Sequence, residues 1–129
     1  MKYKVTLTIT SLISTVCFAC HWVDEISRGL EPGTLNGAGG IAILVVWACG
    51  PLLLAERRAG YILMLVFGIL GLGVTLLHMS GHGMVGGRIA NTPGIFFWVL
   101  ILVTLGVTSS LSIILAGSGL WSARLASRS

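Results

Sequence analysis

The sequence predicts an all-α integral membrane protein: one antiparallel four-transmembrane-helix bundle with N-in/C-in orientation, both termini cytoplasmic. Three observations predict it. Only 9% of the 129 residues are charged and 55% are apolar, against roughly 25% charged in soluble domains, so the polar surface of a water-soluble globule is missing. The apolar residues fall into four runs, each near the ~20 residues that cross ~30 Å of hydrocarbon. The basic residues between the runs divide unevenly between two sides.

The first run, about residues 5–23, carries Thr6, Thr8, Thr10, Ser11, Ser14 and Thr15 in its first half. Hydroxyls in hydrocarbon take a backbone carbonyl or a neighbouring helix as partner, so this helix is expected to pack on several sides. Lys2 and Lys4 before an apolar stretch also have the look of a secretory leader. Bulky Phe18 sits badly for cleavage before Cys20, and the run is read as a span. The second run, about 35–55, contains Gly50-Pro51, where a helical hydrogen bond is lost. Glu56-Arg57-Arg58-Ala59 reads as a tight turn into the third run, about 60–79, which carries Gly68, Gly71 and Thr75 along one face. The fourth, about 94–117, follows Asn91-Thr92-Pro93, read as a cap with proline at the first helical position. Its Thr104, Thr108, Ser112 and Ala116 recur every four residues, a spacing of small side chains that permits close helix approach. The whole, residues 1–129, is one membrane domain.

Charge sets the expected orientation. Lys2, Lys4, Arg57, Arg58, Arg124 and Arg128 share one side, and only Arg28 and Arg88 lie on the other. Short flanks rich in Lys and Arg stay cytoplasmic, which places the chain in a bacterial-type inner or plasma membrane with both ends inside. Asp24, Glu25 and Glu31 fall on the outer side. The scattered basic residues do not form a nucleic-acid patch; the expected partners are lipid and other transmembrane helices, in a homo-oligomer or a hetero-complex. Trp22, Phe96, Phe97 and Trp98 are expected at the outer interface, and Tyr3, Tyr61 and Trp121 at the inner one. Trp47, inside the second run, needs a helix partner or lipid.

All the histidines, His21, His78 and His82, map to the outer end, with Cys17, Cys20, Asp24, Met79 and Met84. Cys17-Phe18-Ala19-Cys20-His21 matches C-x-x-C-H, the pattern of covalent haem attachment. Read that way, Cys17 and Cys20 are thioether anchors and His21 an axial ligand, opposed by His78, Met79, His82 or Met84. A second reading is a small copper, zinc or iron site drawn from His21, Asp24, His78, His82, Met79 and Met84, with the methionines favouring Cu(I). Helical spacing puts Cys17, His21 and Asp24 on one face. The third reading needs no cofactor: interfacial histidines, Cys17, Cys20 and Cys49 as small packing residues, and a local His21–Asp24 pair. Gly81-x-Gly83-x-x-Gly86 has the letters of a dinucleotide fingerprint without the strand and helix that give it meaning.

Triads, phosphate loops and paired catalytic carboxylates are absent from the sequence, and no charge lies deep in a run, which argues against an ion-coupled pump. The leading functional expectation is a non-enzymatic membrane subunit acting through helix contacts, with a His/Cys site at its outer face. A haem- or metal-binding protein is the first alternative and a small channel or transporter the second.

Overall fold

The computed structural model describes residues 2–30, 37–80 and 92–126. Among them are four helices and no strand: α1 Lys2–Ser27, α2 Ala38–Leu53, α3 Arg58–Met79 and α4 Ile95–Ala126. Three of these, α1, α3 and α4, are long and apolar enough to cross a membrane. The 16 residues of α2 extend about 24 Å at ~1.5 Å per residue. Pro51, two residues before its end, has no N–H to give the preceding turn, and α2 stops at Leu53, two residues short of the expected run.

Helix ends have local causes. α1 continues past the apolar run to Ser27 and closes on Gly29, whose φ of 68° lets Gly29 donate to the Ile26 carbonyl and Leu30 to that of Glu25, both at 3.0 Å. This paired 5→2 and 6→1 arrangement is a glycine C-cap. It carries Asp24 and Glu25 into the helix. α4 begins at Ile95, not at Pro93 as the sequence suggested, because Gly94 between them has φ 83°, which no helical residue adopts. α4 then runs well beyond residue 117, where Ser118 and Ser122 return their hydroxyls to carbonyls four residues back.

α4 runs opposite to α1 and α3, while α1 and α3 run the same way. α4 packs most extensively, against α3 and α1, while α2 closes the bundle against α1 and α3. At one end Leu7, Tyr61, Met64 and Ala116 form an apolar cluster joined by Tyr3. Toward the other end Trp47, Trp98, Leu102 and Leu105 form a second, with Cys17, Phe18 and Phe67 against it. Trp47 is 1% exposed and stacks on Phe67 at 5.1 Å.

Between these clusters the interior is polar. Ser14 donates to Thr108 Oγ1 at 2.8 Å and Ser112 to Thr10 Oγ1 at 3.1 Å. Thr75 reaches across to the Leu102 carbonyl at 3.2 Å. The outside is the reverse, with Val5, Ile9, Ile13, Val66, Val103, Val107 and Ile114 all exposed. Hydroxyls within and branched aliphatics without is compatible with a small membrane protein, in which interhelical hydrogen bonds and close packing hold helices together. The expected packing faces take part. Gly68, Gly71 and Thr75 are buried, as are Thr108, Ser112 and Ala116. Thr104 sits at the edge and bonds its own helix.

Candidate metal centre

The histidine end of the bundle holds a three-residue cluster. His21 and Glu25 come from consecutive turns of α1, and His78 from the last turn of α3. His21 is 2% exposed and Glu25 is buried. Glu25 Oε1 lies 3.1 Å from His78 Nε2 and 3.5 Å from His21 Nε2. The two imidazoles meet edge to face, centroids 4.7 Å apart. Trp98 of α4 covers them, its ring 6.2 Å from His21 and 6.1 Å from His78.

One hydrogen bond sets the electrostatics. His78 Nδ1 lies 2.7 Å from the Val74 carbonyl, which can only accept, so Nδ1 carries the proton. In the neutral ring, Nε2 then presents a lone pair to the Glu25 carboxylate oxygen. Two acceptors at 3.1 Å repel unless something positive sits between them, either a proton or a metal ion. Meanwhile both ring nitrogens of His21 are buried without a hydrogen-bond partner among the described residues. Buried polar atoms are rarely left so, and each such case asks for a missing partner.

Two imidazoles and a carboxylate are donors of the kind that divalent transition metals take. Ligand atoms on a tetrahedral ion at ~2.0 Å sit ~3.3 Å apart, and the Glu25 distances of 3.1 and 3.5 Å straddle that value. The potential ligand atoms of all three residues lie within 4.8 Å of one another. A ligating histidine ordinarily gives its other N–H to a carbonyl or carboxylate, which fixes the ring and raises its basicity; His78 does so through Val74.

The remaining predicted site residues lie elsewhere. Asp24, one position before the buried Glu25, makes a part-buried 2.6 Å ion pair with Arg28. Arg28 also donates to Thr92 Oγ1 at 2.8 Å and to the Pro93 carbonyl at 3.1 Å. Asp24 is thus engaged by Arg28, and the carboxylate oxygen 3.5 Å from His21 Nε2 belongs to Glu25. Met79 is exposed. His82 and Met84 fall outside the described residues. Cys17 is half-buried against the aromatic cluster, Cys20 is exposed, and these and Cys49 are free thiols.

Haem does not fit this arrangement. A porphyrin iron on His21 Nε2 needs a flat open space there, whereas Glu25 Oε1 stands 3.5 Å from that nitrogen and the His78 and Trp98 rings lie 4.7 and 6.2 Å from the imidazole. Trp98, expected at the lipid interface, is instead 4% exposed and forms a wall of the cluster. The residue that sequence reasoning missed is Glu25. Its signal was available: Leu7, Ser11, Ser14, His21 and Glu25 are all buried on α1, at the three- and four-residue steps of a single helix face. Compared with family models, curated proteins and solved structures, the chain matches none.

Proposed function

We propose that this is a multi-pass protein of a bacterial-type plasma membrane that binds one divalent transition-metal ion, zinc by preference, through His21, Glu25 and His78. The observation that carries the reading is the commitment of His78 Nδ1 to Val74, which leaves Nε2 and the Glu25 carboxylate facing each other at 3.1 Å. Two imidazoles and a carboxylate suit zinc and its borderline neighbours. The cluster of His21, Glu25 and His78 holds neither thiol nor thioether, the soft donors that would select Cu(I).

Three protein ligands leave a fourth position open, the pattern of sites that hold water or an exchanging ligand rather than closed structural sites. The six-to-two division of basic residues supports both termini in the cytoplasm and the cluster at the outer rim. The membrane subunit is thus read as a metal-binding one.

The test is a zinc titration of detergent-purified protein against a chromophoric chelator, with His21→Ala and His78→Ala beside wild type. One zinc per chain in wild type, lost in both variants, supports the reading. No stoichiometric zinc would make the cluster a site for a proton shared between His78 and Glu25.

A further inference from the structure

The opposite end of the bundle carries a second site, of different chemistry. A cavity of about 290 Å3 opens between the start of α3 and the last turns of α4, lined by Arg58, Ile62, Gly117, Leu120, Trp121 and Arg124. We infer that it binds the phosphate headgroup of an anionic phospholipid.

Four observations converge on that occupant. Two guanidinium groups line one small cavity, and guanidinium is the side chain best matched to phosphate oxygens. Arg58 is also the first residue of α3, so the positive end of that helix dipole faces the same space. Among the described residues of this end, Lys4, Arg57, Arg58 and Arg124 outnumber the one acid, Glu56. The excess charge is therefore positive. The lining also changes character along the helices, from Arg58 and Arg124 at the ends of the apolar segments to Ile62 and Leu120 one turn inward. That order matches a lipid, with headgroup at the rim and first methylenes below, and Trp121 is exposed, an aromatic of the kind enriched at headgroup level. A free phosphate would leave the apolar half unused.

Gly117 lines the cavity. A Cβ built on it meets no atom within 4 Å, so a larger side chain there would enter the cavity without disturbing the helices. This gives a variant that blocks the site and leaves every charge in place.

The experiment is native mass spectrometry of the full chain released from detergent in an equal mixture of phosphatidylglycerol and phosphatidylcholine. Wild type is expected to retain phosphatidylglycerol about thirty-fold over phosphatidylcholine, the preference that two basic groups at a membrane surface give. The double variant Arg58→Gln, Arg124→Gln is expected near parity. Gly117→Leu, helical by circular dichroism, is expected to lose most of the preference. Excess inorganic phosphate is expected to leave bound lipid in place. Equal retention of the two lipids by wild type overturns the inference. So does a preference untouched by Gly117→Leu, or displacement of lipid by phosphate.

Discussion

Replacing Glu25 by Gln separates a metal centre from a hydrogen-bonded core, because a carboxamide keeps the shape and removes the charge. In the structure, Glu25 Oε1 stands 3.1 Å from a His78 Nε2 that has its lone pair outward. The Gln amide can donate to that lone pair with no proton or metal between, so metal-free stability should change by no more than about 1 kcal/mol. The effect of metal should change far more. Zinc at a hundred times its Kd stabilises wild type by about 2.7 kcal/mol. Loss of outer partners alone weakens metal sites about 10- to 100-fold, so loss of one of three ligands should reach at least 100-fold. At the same zinc concentration the variant would then gain only about 0.4 kcal/mol. Thermal unfolding in detergent, with zinc and with a chelator, reads both quantities. An equal zinc increment in the two proteins would refute the reasoning. A loss of about 3–5 kcal/mol without metal would point instead to a permanent buried ion pair.

The same reasoning yields smaller tests. Zinc affinity should fall as the medium is acidified, since protons compete for the two imidazole nitrogens that must be free to ligate; a titration repeated at several pH values checks the direction. Ser14→Ala removes bonds to the Thr10 carbonyl, Thr108 and Ser109 and should cost about 0.6 kcal/mol, with ~1.7 as a ceiling, measured by detergent unfolding. Gly60→Ala should destabilise by about 1–3 kcal/mol despite the better helix former, because the added methyl meets the Leu54 backbone carbonyl, which cannot rotate away. Arg28→Ala should cost about 1.5 kcal/mol, because Arg28 ties the end of α1 to the start of α4 through Thr92 and Pro93; proteolysis near residue 93 should quicken.

Much of the architecture was legible because it is set by composition. Four long apolar runs allow little besides helices, and the hydroxyl-bearing face of α1 signalled that this helix would be packed on rather than bathed in lipid. The hydroxyls of α1 do meet α4, through Ser14–Thr108 and Thr10–Ser112. The site was harder to read for a reason of angle. Asp24 and Glu25 are neighbours in sequence but about 100° apart around a helix. Which of them faces inward depends on which side of α1 the other helices occupy. Spacing from His21 permits both, at three and at four residues. In the structure Arg28 takes Asp24, and Glu25 stands beside His78. Trp98 illustrates the same limit: an aromatic at a span end suits an interface, and only the packing of α4 against α1 and α3 turns it inward. The boundary at Pro93 failed for a local reason, a positive φ at Gly94.

The most direct measurement is X-ray absorption at the zinc edge on the zinc-loaded protein in detergent. The account predicts one zinc per chain with a nitrogen and oxygen shell at about 2.0–2.1 Å, outer scattering from two imidazoles, and no sulfur shell. A sulfur shell near ~2.3 Å would move the ion to Cys17 or Cys20. Zinc bound with no imidazole signature would remove the His21–Glu25–His78 centre altogether.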